Sequence, residues 1–352
     1  MTIYIILVAI ATCIVIATVN SGYYNRVLTV VFFIIITTIS AMRGSIGGDT
    51  EHYKQIYSIM LRSDLSEALR YNYEKGFLFL VFLFSRIFKN INGITVFSSL
   101  VINLLVLRSI LRGSRNPALS ALLYILTTFY FSYMNLMRFG IASAIIMNAF
   151  QDLKDGHALR FALEVIVASL FHISAIICLS LLCARIYPKE GKSRIIIFSS
   201  VCVVVVLLLR FSEHFIGIGL MLFPSYGAYL DSIFIKGHKI GNVAIACFYY
   251  LLYVLVMRSP SAALDKYDYL SMILGEVFLL LAIASTILGR FANYFVINII
   301  LYLPNNLPSK IKYDRLICRV LLVYLLFFYF IIISFMRPEW FLVSPYKMWL
   351  FE

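Results

Sequence analysis

The 352-residue chain is 62% hydrophobic and only 13% charged, with 30 Lys and Arg against 17 Asp and Glu. A soluble domain of that length wets a large surface and carries about 25% charged residues, so a water-soluble globule is excluded. The formal charge of +13 is read as the Lys and Arg excess of cytoplasmic loops in a membrane protein, not as a nucleic-acid surface.

At about 20 apolar residues per crossing, the candidate segments are Ile3–Val19, Val27–Met42, Gly76–Phe88, Ile94–Leu111, Pro117–Met134, Phe139–Phe150, Leu159–Ile186, Ile195–Leu209, Val243–Met257, Tyr269–Leu288, Phe291–Leu303 and Ile317–Met336. The expected architecture is all-α, a polytopic transmembrane helical bundle with about 11–13 hydrophobic segments. Residues 1–352 are expected to form a single integral membrane domain, with polar loops at 43–75 and 212–242. Met1–Val19 lacks a basic leader and a small-residue cleavage site, so it is expected to stay as a first helix. The six cysteines lie in or beside apolar runs without CxxC spacing and are expected to be packing residues.

Clusters at Arg108–Arg115, Lys154–Arg160, Arg185–Arg194 and Lys310–Arg319 mark the cytoplasmic side. The turns at Asn135–Arg138, Ser212–Asn242 and Leu288–Arg290, with the tail from Arg337, then face outward. Leu159–Ile186 starts and ends inside, and reads either as a hairpin of short helices turning near Phe171–His172 or as a single tilted helix. Counting back from Arg108 places Arg43–Lys75 inside, unless one segment between Gly76 and Leu111 fails to cross.

Five stretches carry polar chemistry. The first is Arg43-Gly44-Ser45-Ile46-Gly47-Gly48-Asp49-Thr50, a glycine-rich turn that can bring backbone N–H groups to an anion. It lacks a nucleotide P-loop pattern, and Asp49 also suits a helix cap. Ser58–Tyr73 then reads as an interfacial amphipathic helix. Glu74 after it reads as a solvated flank. In the second stretch Arg138 follows Asn135 between two apolar runs. A charge at membrane depth costs about 2.5–3.5 kcal/mol, so it needs a partner or a task. In the third, His172 stands in an apolar run and can take a proton near neutral pH. It could equally be a core residue, and Glu164 is its possible partner on a continuous helix. In the fourth, Arg290 interrupts apolar sequence fourteen residues after Glu276. The fifth is the tail with Trp340, Pro345, Tyr346 and Trp349, for which interfacial anchoring suffices.

Taken in order, these stretches resemble the EpsG-like family of bacterial polysaccharide polymerases, functional relatives of the Wzy O-antigen polymerases. The matching elements are R-G-x-x-G-G-D-T-x-x-Y from Arg43 to Tyr53, E-x-G-F from Glu74 to Phe77, N-x-x-R-x-G-x-A from Asn135 to Ala142, F-H-x-S-A from Phe171 to Ala175, R-x-x-x-Y-F from Arg290 to Phe295, and P-Y at Pro345–Tyr346. Phe139 departs from the pattern, which has a polar residue, often Gln, after the arginine.

The resemblance implies a multi-pass glycosyltransferase of the bacterial inner membrane, with a GT-C-like bundle as one form of the fold. It would move a growing glycan from undecaprenyl diphosphate to another lipid-linked repeat unit at the periplasmic face, making O-antigen or a related surface polysaccharide. Arg43, Arg138 and Arg290 are the candidates to hold the leaving diphosphate, because preorganised cations stabilise charge developing on it. His172 and Asp49 are the candidate bases for the acceptor hydroxyl, and Tyr53, Tyr133 and Tyr294 could pack on sugars. No cofactor or metal is expected, since no DxD or carboxylate cluster faces outward. The expected partners are lipid-linked oligosaccharides, membrane lipid, a chain-length regulator and a flippase, with no nucleic acid. A flippase or transporter of lipid-linked oligosaccharide is the alternative, weakened by the absence of repeat symmetry. A membrane acyltransferase is less apt, for His172 has no HxxxD partner.

Overall fold

The computed structural model describes residues 2–18, 21–184, 191–209, 239–258, 264–306, 326–327, 329–331 and 342–351. Among them the secondary structure is helical, without a strand, apart from one isolated bridge between Arg43 and Met348. The chain divides into two compact units, Met1–Ile176 with Ser309–Glu352, and Ile177–Pro308.

The first unit contains α1 (Thr2–Ala17), α2 (Gly22–Ala41), α3 (Thr50–Arg62), α4 (Leu65–Ala68), α5 (Lys75–Ile87), α6 (Gly93–Gly113), α7 (Pro117–Leu126), α8 (Phe129–Asn135), α9 (Met137–Lys154) and α10 (Ala158–Ser169). α6 packs between α2 and α9, α10 lies on α9, and α3 rests on α5. The lattice has two distinct ends. At one, Thr95 at the start of α6 donates to Ala41 O at the end of α2 (3.0 Å). At the other, the Asn25 amide bonds Asn116 Oδ1 (2.9 Å), and Arg112 bonds Asp152 (2.8 Å). The glycine-rich turn and Arg138 belong to the first end; Arg112, Lys154 and Arg160 belong to the second.

Several elements differ from the sequence reading, for local reasons. Pro117–Met134 is broken into α7 and α8, bent by 58°. Thr127 turns its hydroxyl back to Leu123 O (2.6 Å), and Thr128 takes a left-handed φ of 66°, a conformation that ends a right-handed helix. The amphipathic helix begins at Thr50 and stops at Arg62, not at Ser58 and Tyr73. Its inner face is set by the helical spacing of Tyr53, Ile56, Tyr57 and Met60, all buried. Leu159–Ile186 is broken near Phe171–His172: α10 ends at Ser169, and a 3₁₀ helix runs over Ile173–Cys183.

Gly22–Ala41, Gly93–Gly113 and Ile240–Arg258 are long and apolar enough to cross a membrane, with α7–α8 a fourth if the bent pair counts as one span. α5 has 13 residues, about 20 Å of helix against a hydrocarbon core of about 30 Å. It is therefore the segment between Gly76 and Leu111 that is too short to cross straight.

The second unit contains α11 (Gly191–Leu208), α12 (Lys239–Arg258), α13 (Lys266–Leu281), α14 (Thr286–Val296) and α15 (Ile299–Asn306). α13 packs on α11, α12 and α14. Asp265 and Asp268 form a reciprocal capping box that starts α13. The expected segment Tyr269–Leu288 ends instead at Leu281, so Glu276 and Arg290 stand on different helices. The loop Ser212–Asn242 lies almost wholly outside the described residues, as do most of Ile317–Met336, Arg185–Lys189, Lys310–Arg319 and Arg337–Trp340.

Candidate functional site

The site is assembled in the first unit around Arg138. Leu136 separates α8 from α9, so Arg138 falls in the opening turn of α9, with a side chain 25% exposed. Its Nε donates to Tyr53 Oη (3.1 Å), and its Nη1 is hydrogen-bonded to Glu74 Oε2. The guanidinium carbon stands 4.5 Å from the Tyr73 ring centre, a cation–π arrangement. His52, at the exposed end of this group, is hydrogen-bonded to the Tyr73 hydroxyl.

Glu74 is the hinge of the arrangement. Its other oxygen, Oε1, faces His172 Nδ1 at 3.3 Å and accepts from the Ile173 N–H (3.4 Å). His172 Nδ1 is at ion-pair distance and makes no aligned hydrogen bond. Burial raises the Glu74 carboxyl, but His172 and Arg138 beside it outweigh that and hold it at about 2. The carboxylate therefore stays charged across the neutral range. The partner expected for His172, Glu164, is elsewhere. α10 ends before His172, and Glu164 pairs with Arg160 (3.3 Å).

The approach of α5 to the turn after α10 brings Glu74 to His172. Gly76 allows it, because a Cβ there would lie 2.7 Å from Leu170 Cβ. Phe139, where the family pattern has a polar side chain, lays its ring edge-on to His172, with centroids 5.6 Å apart at 84°.

The glycine-rich turn meets the same end. Gly47 adopts φ +93°, open to glycine at no steric cost. Asn135 Oδ1 accepts from the Asp49 N–H (3.0 Å), which joins the first stretch to the second. Asp49 occupies the position before α3, but its exposed carboxylate makes no capping hydrogen bond.

Arg43 is placed differently from Arg138. It is 1% exposed, and it bonds Ser40 O, Ser99 Oγ (2.9 Å) and Met134 O (2.9 Å). Burial lowers its guanidinium to about 10, which leaves it charged at neutral pH. A small cavity opens beside it, lined by Ser40, Ser99, Asn103, Tyr124 and Tyr133 among others. The tail closes over this turn. Gly44 N–H donates to Lys347 O (2.8 Å), Gly47 N–H to Leu342 O (2.8 Å), and Trp349 N–H to Met42 O (3.1 Å). Tyr346 donates to Ile39 O (2.7 Å).

Five of the six sequence elements thus lie on one end of one unit. The sequence model of the EpsG family matches residues 26–348. The chain belongs to the EpsG family. It is a family of polysaccharide polymerase-like proteins. No curated protein and no solved structure matches the chain.

In this EpsG-family chain the remaining element lies in the second unit. Arg290 is half-buried on α14, and Tyr294 one turn on is fully buried. Tyr53 and Tyr133 are 4% and 2% exposed, with hydroxyls given to Arg138 and to Ser143 (2.7 Å). Among the described residues no three His, Cys, Asp or Glu side chains gather as metal ligands.

Sequence reasoning passed over Glu74, Tyr73 and His52. Spacing offered no signal for Glu74, which is 64 residues from Arg138 and 98 from His172 along the chain. Only the E-x-G-F element marked it.

Proposed function

We propose that this protein is the glycosyltransferase that polymerises lipid-linked repeat units of a bacterial surface polysaccharide, O-antigen or a related polymer. The observation that carries the reading is the contiguous set Arg138–Glu74–His172 beside the glycine-rich turn. It puts a partly exposed guanidinium, which can grip an anion, next to an imidazole that can take a proton.

In the proposed step the acceptor hydroxyl oxygen attacks the anomeric carbon of the donor glycan. The bond from that carbon to the diphosphate breaks, and its electron pair leaves with undecaprenyl diphosphate. Arg138 stabilises the charge that gathers there. The hydroxyl proton passes to Nε2 of His172, whose Nδ1 faces Glu74. Asp49 is the second candidate base, exposed on the adjoining turn. Tyr73 and His52 offer ring faces and edges to sugars. Arg43, already bonded to two carbonyls and a hydroxyl, is assigned to shaping the turn.

The sidedness follows from charge. Arg108, Arg112, Arg115, Lys154 and Arg160 cluster at the end away from the site, so the positive-inside rule turns the site outward. With α5 too short to cross and α6 crossing once, the glycine-rich turn reaches the same outer side. This supports action at the outer face; the reading further takes the bacterial inner membrane as the location, a flippase as the supplier of substrate and a chain-length regulator as a partner. Both substrates arrive on lipid tails, which suits an enzyme with membrane-spanning helices.

Complementing a deletion strain with Arg138→Ala tests the reading. We expect export of single repeat units to persist while chain growth falls about 10²-fold or more. A normal polymer ladder from that variant overturns the assignment, and loss of single-unit export favours a flippase.

A further inference from the structure

The geometry of Glu74 points to a step that precedes transfer, and it rests on the polymerase reading above. Glu74 serves two partners at once. Oε2 occupies Nη1 of Arg138, and Oε1 faces Nδ1 of His172 at 3.3 Å. Arg138 has Nε committed to Tyr53, while Nη2 makes no hydrogen bond among the described residues. A phosphate is gripped best by two neighbouring N–H groups of one guanidinium. The pair that faces away from Tyr53 includes Nη1, which the carboxylate holds. Donor diphosphate and Glu74 therefore compete for the same donors, and their like charges repel.

The site is open to that exchange. The side chains of Arg138, His172 and Glu74 are 25%, 22% and 16% exposed, unlike Arg43, which is sealed. We infer that Glu74 is an exchangeable counterion of Arg138: the donor diphosphate displaces it, and the freed carboxylate closes on His172 Nδ1–H. No bond is made or broken in this exchange; one anion replaces another on the guanidinium. Before the donor arrives, His172 shares its carboxylate with Arg138 and is loosely held. Afterwards the carboxylate fixes the proton on Nδ1, leaving Nε2 unprotonated as the base. Glu74 is a positioning residue in this scheme, since it touches neither sugar nor diphosphate when the reaction occurs. Binding of the donor would thus arm the base, and the base would stay unset while the site is empty.

Glu74→Gln separates this from a structural role, because two readouts move in opposite directions. The neutral amide is a weaker competitor for Arg138, so the full-length protein in detergent should bind farnesyl diphosphate about five- to tenfold more tightly. The amide N–H also donates to Nδ1 and forces the proton onto Nε2, so chain growth should fall about 10²-fold. Tighter binding together with slower growth supports the inference. Equal or weaker binding, or unimpaired growth, overturns it. If Glu74→Gln does not accumulate in membranes, Glu74→Ala gives the same two readouts with the same expected signs. Wild-type protein that fails to bind farnesyl diphosphate at all sinks the polymerase reading itself, an outcome distinct from wild-type binding that the substitution leaves unchanged.

Discussion

Gly76 and Leu170 are in backbone contact: a Cβ at Gly76 would lie 2.7 Å from Leu170 Cβ and 2.9 Å from Leu170 O. The Phe77 N–H donates to that same carbonyl (3.2 Å). Glu74 is two residues before this contact and His172 two residues after it, so the glycine sets the distance between carboxylate and imidazole.

Gly76→Ala should therefore act on chemistry more than on folding. The new methyl has to push the turn after α10 away, because what it meets is backbone and not the end of a flexible side chain. A shift of about 1 Å in a positioned catalytic pair can cost on the order of 10²-fold in rate. We expect normal membrane levels with strongly reduced polymer on a silver-stained gel. Full-length polymer from Gly76→Ala would show that the Glu74–His172 distance does not matter.

How much of this was legible from the residues differs between the two levels. Membrane residence and the helical class could be read directly, because composition and apolar run length are local quantities, whereas a break at Phe171–His172 and a single tilted helix fit the same apolar run. The break in Pro117–Met134 could not, since it depends on two threonines whose hydroxyl and φ are set by packing. Arg138 is visible as a charge needing a partner, but that partner, Glu74, is 64 residues away along the chain. Glu164 looked suitable for His172 only on a helix that continued through it. Helical periodicity cannot report that α5 returns to the turn after α10, and this return is what converts Glu74 from a flank into the centre of the site.

The pH response of Glu74 follows from its environment. Its carboxyl is lowered from 4.5 to about 2, with burial opposed by His172 and Arg138. A carboxyl depressed in the folded state adds stability that is complete above about pH 4.5 and lost as pH falls through about 2. Discounted for partial exposure, that contribution is about 1–2 kcal/mol. The thermal midpoint of the wild type in detergent should exceed that of Glu74→Gln near neutral pH. The gap should narrow on acidification from about pH 5.5 to about pH 3. A gap that stays constant or widens over that range would contradict the ionised, doubly paired carboxylate.

Arg43 and Arg138 should respond differently to truncation. Arg43→Ala leaves Met134 O and Ser40 O buried without their donor, at about 1–3 kcal/mol each, and opens a hole next to an existing cavity. We expect low abundance and a thermal midpoint lower by roughly 5 °C or more. Arg138 is partly exposed, and its loss still leaves Glu74 the Ile173 N–H and His172. Arg138→Ala should thus accumulate near wild-type levels while losing polymer. Fluorescence-detected size exclusion of the two variants, run beside gels of the glycan, compares them directly. A stable, inactive Arg43→Ala would instead place that guanidinium on the substrate.

The tail supplies the last test. Residues 342–349 are tied to the glycine-rich turn by the Gly44–Lys347, Gly47–Leu342 and Trp349–Met42 backbone bonds, by the indole N–H of Trp349 to Ala41 O (3.2 Å), and by Tyr346 to Ile39 O. Glycines make the turn adaptable to an anion, and that freedom costs entropy when the turn is ordered. The tail offsets the cost by occupying the Gly44 and Gly47 N–H groups. Truncation after Phe341 should release the turn and, through the Asp49–Asn135 bond, loosen the start of α9 where Arg138 stands. We expect faster proteolytic cleavage within Gly44–Gly48 and loss of polymer, with Trp349→Ala giving a milder version of both. Limited proteolysis of membrane vesicles followed by mass spectrometry reads the first effect. A truncated protein whose turn resists protease as well as the wild type would show that the turn holds its shape alone.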